Sequence, residues 1–185
     1  MRYFPKLVGE DVYLSPLNPE DEALYTKWLN DPAVAVNLGQ FGSTISLTCE
    51  RKLLADLVEN GHNYAIVLRE GDRLLGNASL MAVDHVNARA ELGIFLGDED
   101  CRGKGYGAQA IRLLLGYGFG TLNLHSVMLN VHADNPRAIA CYKKCGFREC
   151  GRRREAKFLN GRYIDVFSMD ILADEYFASE GSAQK

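Results

Sequence analysis

The sequence predicts a single mixed α/β domain, with about seven strands in one mixed sheet flanked by about four helices. Three observations carry this. Three strand-like segments follow one another closely in the middle of the chain, at Tyr64–Arg69, Leu74–Val83 and Ala88–Leu96. The pattern then changes to helix, strand, helix, over about Gly105–Phe119, Ser126–Ala133 and Pro136–Cys145. The chain closes on two strands that turn at Asn160-Gly161, a dipeptide suited to the left-handed backbone of a two-residue hairpin. An antiparallel meander followed by β-α-β-α gives a mixed sheet covered by helices.

The earlier elements fit the same plan. Asp11–Leu17 alternates Val12, Leu14 and Pro16 against Tyr13, Ser15 and Leu17, which predicts a short strand. Asn18 then caps a helix with Pro19 in its first position and an acidic first turn (Glu20, Asp21, Glu22), ended by Asp31-Pro32. Val34–Ile45 lacks clear periodicity, and a second helix runs from about Thr48, with Leu53, Leu54, Leu57 and Val58 on one side and Asn60-Gly61 as its stop. Glu70-Gly71-Asp72 makes a tight turn inside the meander. Residues 1–178 are read as one domain, and 179–185 as a small, polar, frayed tail.

Composition narrows the function. With 185 residues, 47% of them hydrophobic, the chain can bury one continuous core. A formal charge of −3 gives no basic field for a nucleic-acid backbone and slightly favours a cationic partner. No apolar run approaches the ~20 residues that span a bilayer, and Met1–Lys6 leads into a strand-like segment rather than an export signal, so a cytoplasmic protein without membrane or nucleic-acid partners is expected. The five cysteines (49, 101, 141, 145, 150) are then reduced thiols, and no C-x-x-C pair or nearby His completes a set of metal ligands.

The chemistry concentrates in two stretches. In Glu91–Ala108 a strand runs into a glycine-rich turn and then a helix. Gly103, Gly105 and Gly107 let backbone approach a ligand, the helix start offers unpaired amides and the positive dipole end, and Arg102 and Lys104 add charge, so phosphates fit there. A P-loop is excluded because the residue after Lys104 is glycine rather than a hydroxyl for Mg²⁺. A dinucleotide fingerprint is the closer rival, since Gly103, Gly105 and Ala108 satisfy G-x-G-x-x-[GA], but Gly97–Cys101 separates it from its strand. In Asn130–Phe147 a strand ends at Asp134-Asn135, Pro136 opens a helix, Gly146 ends it, and Tyr142 lies two turns inside.

Arg102-Gly-Lys-Gly-Tyr-Gly107 matches [RQ]-x-x-G-x-[GA], and Asn135–Phe147 matches N-x-x-[AS]-x-x-x-Y-x-x-x-G-F. Together they resemble the GNAT N-acetyltransferases over roughly Asn77–Leu172, most closely the RimJ/RimL-like branch and bacterial spermidine acetyltransferases. The resemblance implies a splayed sheet in which the acetyl-pantetheine arm of acetyl-CoA lies between Ala88–Leu96 and Ser126–Ala133. It implies that backbone groups of Ile94, Phe95 and Leu96 pair with that arm and polarise the thioester carbonyl. By the same resemblance Arg102, with amides of Gly103, Lys104, Gly105, Tyr106, Gly107 and Ala108, holds the diphosphate; Asn135 contacts the arm; Lys143 reaches the nucleotide end; and Tyr142 protonates the departing sulfur. Homodimers are common among such enzymes, and no metal is expected.

An attacking amine must lose a proton, because lysine-like amines titrate near ~10.4. Glu91 is the candidate base: it alternates with Ala90 and Leu92 and so points away from the apolar face, with a salt bridge to Arg89 or Lys104 as the competing reading. His132, beside Asn130 and Met128 on one face of its strand, is the other candidate, against a purely structural histidine. Arg152–Arg154 reads as a solvated strand edge. The resemblance assigns the acceptor wall to Asp31–Asn60, which carries Gly39-Gln40-Phe41-Gly42 in place of the acidic cluster of a spermidine enzyme. The acceptor is thus a primary amine, on a protein N-terminus or small molecule, with a polyamine as the alternative. The rival classes are a non-catalytic acyl-CoA-binding module and a dinucleotide-binding protein.

Overall fold

The computed structural model describes residues 2–38, 42–59 and 61–183, the side chains of 180, 182 and 183 excepted. Its strands are β1 (Leu7–Val8), β2 (Val12–Pro16), β3 (His62–Leu68), β4 (Arg73–Asp84), β5 (Arg89–Leu96), β6 (Ser126–His132), β7 (Arg148–Leu159) and β8 (Arg162–Leu172). They form one eight-stranded sheet in the order β1-β2-β3-β4-β5-β6-β8-β7. The helices are α1 (Glu22–Leu29), α2 (Pro32–Leu38), α3 (Leu47–Glu59), α4 (Tyr106–Gly120), α5 (Pro136–Lys144) and α6 (Ala173–Ala183). The chain divides into two compact units, residues 1–79 with 93–113, and residues 80–92 with 114–185.

In the first unit β1, β2 and β3 pair antiparallel, with Leu7 opposite Leu14 and Leu14 opposite Ile66. Tyr64–Val67 is buried without interruption, the pattern of a strand covered on both faces. Against it pack Leu54 of α3 and Tyr25 and Trp28 of α1, in a cluster with Tyr3, Tyr13 and Leu74. Buried Asp21 is held by the Tyr3 hydroxyl at 3.1 Å and by the Arg2 guanidinium. Among the described residues, two polar side-chain atoms are buried without a partner, Thr26 Oγ1 on α1 and Glu50 Oε2 on α3.

The N-terminal helix differs from expectation in two respects. Asn18 does cap it, accepting from the Glu20 amide at 3.0 Å, but Pro19–Asp21 forms a 3-10 turn before α1 begins. Asp31-Pro32, read as a stop, is also a start: Asp31 Oδ1 accepts the Ala33 amide at 2.9 Å and Pro32 opens α2. Gly39, Gln40, Phe41 and Asn60 lie outside the described residues.

In the second unit β6 pairs with β5 in parallel and with β8 antiparallel, so the sheet is mixed as predicted. Val127 and Leu129 are buried opposite Ile171 and Met169, while Met128 and Asn130 lie on the other face. The β7–β8 hairpin turns at Asn160 (φ 49°) and Gly161 (φ 80°), both left-handed, as a type I′ turn requires. β7 ends the sheet and is mostly exposed. Within the arginine run, Arg152 pairs with Asp165 and lies over the Phe167 ring at 5.6 Å. Helix α6 extends across most of the segment read as a polar tail, anchored by Tyr176, whose ring meets Phe119 at 5.4 Å. All five cysteines are described and none is in a disulfide, and among the described residues no helix is long and apolar enough to cross a membrane.

Candidate active site

In the first unit, the site begins where β5 leaves the sheet. Gly97 donates its amide to the Leu75 carbonyl at 2.8 Å, Glu99–Cys101 makes a 3-10 turn, and α4 starts at Tyr106. Gly103 (φ 77°) and Gly105 (φ 88°) are left-handed, and a Cβ on either would meet nothing within 4 Å. The glycines are needed there for backbone conformation, and the space beside them is open for a ligand. Behind the loop, a Cβ at Gly107 would lie 3.7 Å from the Leu96 side chain and Ala108 is buried, so the start of the helix packs through small residues. Lys104 is exposed, whereas Arg102, expected to reach a diphosphate, is turned to Glu99 Oε1 at 3.0 Å.

The backbone of β5 is sided. A side chain at Gly76 of β4 would meet the Phe95 carbonyl at 2.0 Å, and Gly97 also bonds toward β4. Alternation then turns the backbone groups of Ile94 and Leu96 to the opposite edge. The Phe95 ring is held edge-on by Tyr25 at 6.0 Å and Trp28 at 6.3 Å. Donor atoms of Asp98, Asp100 and Cys101 converge within 4.8 Å, but protein donors already engage them. Trp28 Nε1 donates to Asp98 at 2.8 Å, and Arg73 donates to Asp100 at 3.1 Å and to the Cys101 sulfur at 2.9 Å.

In the second unit, the β5–β6 ladder covers three pairs, Arg89 with Ser126, Ala90 with Val127 and Glu91 with Met128. Glu91 is half-buried and accepts from Asn130 Nδ2 at 3.0 Å; Arg89, one of its partners in the competing salt-bridge reading, bonds to Asp84 at 3.3 Å instead. Asn130 in turn accepts from the Ser168 hydroxyl at 2.9 Å and the Arg153 guanidinium at 3.4 Å, which fixes its amide group so that the NH₂ faces Glu91. Sequence reasoning does not single out Asn130 as the partner of Glu91, nor Ser168 and Arg153 as the partners of Asn130. The one available signal is that Asn130 shares a strand face with His132. Burial pushes the His132 imidazole below its usual value, with Asp134 opposing and Lys157 reinforcing that shift.

Tyr142 is the third residue from the end of α5, at the position that a Schellman turn grips. The Phe147 amide donates to the Tyr142 carbonyl at 3.1 Å and the Gly146 amide to Lys143 at 3.1 Å, with Gly146 at φ 97°. The Phe147 ring meets the Tyr142 ring edge-on at 6.0 Å. Burial pushes the Tyr142 hydroxyl up to about 12, reinforced by Cys141 and Cys145. Asn135 caps the same helix, accepting the Ala138 amide at 3.1 Å ahead of Pro136. Lys143 is exposed on it.

A family model described as the GNAT acetyltransferase domain matches residues 11–148. The uncharacterized N-acetyltransferase p20 of Bacillus licheniformis is 29% identical over 174 residues, covering 92% of this chain and 97% of that protein. Spermidine N(1)-acetyltransferase of Vibrio cholerae is 36% identical over 118 residues, covering 64% of this chain and 68% of that protein. The crystal structure of spermidine N-acetyltransferase from Vibrio cholerae in complex with CoA and spermine superposes with a TM-score of 0.81 at 28% identity, covering 91% of this chain and 99% of that one. The dinucleotide alternative fits neither these likenesses nor the 3-10 turn between strand and glycines. The chain belongs to the GNAT acetyltransferase family and is an acetyl-CoA-dependent N-acetyltransferase.

Proposed function

We propose that the chain acetylates a primary amine by direct attack within a ternary complex, with residues 102–108 holding the coenzyme's diphosphate. The observation that carries this reading is the open left-handed turn at Gly103 and Gly105 leading into α4, whose amides and dipole suit an anion. Arg102 joins them by exchanging its Glu99 carboxylate for a phosphate. Backbone groups of Ile94 and Leu96, on the edge of β5 away from β4, pair with the pantetheine arm and stabilise charge on the thioester oxygen. Asn135 contacts the same arm and Lys143 the nucleotide end.

Acetyl-CoA supplies an acyl group already activated as a thioester. The chain supplies proton management. At neutral pH only about one lysine-like amine in two or three thousand is uncharged, and Glu91, held by Asn130, takes the ammonium proton, with His132 as the second candidate. Tyr142 keeps its own proton throughout the physiological range and presents it to the departing sulfur. Direct transfer is favoured over a cysteinyl intermediate because burial pushes the Cys101 and Cys150 thiols up, away from the thiolate a nucleophile needs.

The acceptor is an amine of a protein N-terminus or a small molecule. A polyamine is the second reading, favoured by the Vibrio cholerae relative named for spermidine. A homodimer in the cytoplasm completes the proposal. Incubating the protein with acetyl-CoA and measuring thiol release against polyamines, peptides, amino acids and amino sugars tests it. Release that depends on one amine class supports the reading, and no release with any class removes it.

A further inference from the structure

We propose that Trp28 is a positioning residue for the coenzyme loop, fixing from α1 the segment Gly97–Cys101 on which residues 102–108 are built. The inference rests on reading that loop as the diphosphate site. Trp28 is 2% exposed, yet its indole N–H finds a carboxylate, Asp98 Oδ1, at 2.8 Å. A Cβ at Gly97 would lie 2.0–2.4 Å from three atoms of the indole, so only glycine lets the chain run against that ring. On its other side the Gly97 amide is tied to Leu75 of β4 at 2.8 Å. The chain leaving β5 is thereby seated against an aromatic ring and hydrogen-bonded to a neighbouring strand.

Residues 98–102 are braced in the same way. The Asp98 carbonyl accepts the Cys101 amide at 3.3 Å, the Glu99 carbonyl accepts the Arg102 amide at 3.0 Å, and Arg73 grips Asp100 and Cys101. The loop's first residue is thus one 3-10 turn away from the indole contact, and its direction is inherited from Gly97 and Asp98. Trp28 is itself held edge-on by Tyr25 at 5.6 Å and Phe95 at 6.3 Å. A leucine or phenylalanine at 28 fills volume but offers Asp98 no donor. An indole does both.

Trp28 is the chain's single tryptophan, so its emission reports on this junction. Titrating the full chain with coenzyme A, followed in parallel by calorimetry and indole fluorescence, should give one dissociation constant by both readouts. Asp98→Ala, which leaves the buried ring untouched, should raise that constant about three- to tenfold, the worth of one net hydrogen bond. Asp98→Asn keeps an acceptor oxygen and should restore affinity to within about twofold. Trp28→Phe approaches the same bond from the core and is read with its melting temperature. Unchanged emission at saturating coenzyme A together with unchanged affinity in Asp98→Ala overturns the inference while leaving the loop assignment intact. Absence of coenzyme binding by the unsubstituted protein overturns the loop assignment and the inference with it.

Discussion

Tyr142→Phe removes one hydroxyl and nothing else. The ring keeps its edge-on contact with Phe147, and both Schellman hydrogen bonds are backbone bonds, so α5 and its end are preserved. The hydroxyl titrates at about 12 because it is buried. A free thiol titrates near ~8.5, below this hydroxyl, so completed proton transfer from it to a thiolate is uphill. Tyr142 therefore acts chiefly as a hydrogen bond to sulfur that strengthens as the C–S bond breaks. That places the loss on substitution at the lower end of general-acid effects, about 10²-fold or ~2.7 kcal/mol. Single-turnover acetyl transfer with rapid quenching measures it free of product release. The same hydroxyl sets a pH signature. A raised value means that stability is present below the unfolded value of ~10 and is lost as pH rises through about 12, so the melting-temperature difference between the two proteins should be flat below pH ~10. A single-turnover rate within threefold of the unsubstituted protein refutes the assignment.

Three other substitutions probe separate parts of the molecule. Asn130→Asp sets a carboxylate against Glu91, at a contact now 3.0 Å long, and should move the acidic limb of the kcat/KM profile to higher pH; if His132→Ala abolishes that limb instead, the base is His132. Glu50→Gln removes a buried acid whose second oxygen lacks a partner. Burial raises Glu50, so its contribution to stability is present below ~4.5 and lost as pH rises through its folded value; the variant should gain melting temperature over the parent at pH 7.5 and lose that advantage near pH 4. Gly97→Ala drives a methyl into the Trp28 ring and should destabilise the fold by about 1–3 kcal/mol in urea titrations.

The features legible in the sequence are local ones. The Asn160-Gly161 hairpin, the Asn135-Pro136 helix start and the Gly146 helix stop each depend on backbone preferences of two or three adjacent residues, and each stands where those preferences put it. Asp31-Pro32 is ambiguous for the same reason: an acidic cap before proline suits a helix stop and a helix start, and here α2 begins on it. Contacts that depend on register are not legible. Asn130 reaches Glu91 because β5 and β6 run parallel with Glu91 opposite Met128, and Ser168 joins because β8 sets it opposite Asn130. Trp28 and Asp98 are 70 residues apart, and nothing local marks the indole as a partner for that carboxylate. The siding of β5, which separates Phe95 from Ile94 and Leu96, likewise depends on where Gly76 lies.

The proposed diphosphate site is made of backbone amides at the start of α4, and hydrogen exchange observes those amides directly. Exchange should be followed by peptide-resolved mass spectrometry with and without saturating coenzyme A. Slowed exchange is expected in the peptide spanning Gly103–Ala108 above all, with loss of that protection in Gly105→Val. Coenzyme A that binds and protects other segments while exchange at 103–108 stays unchanged contradicts the assignment.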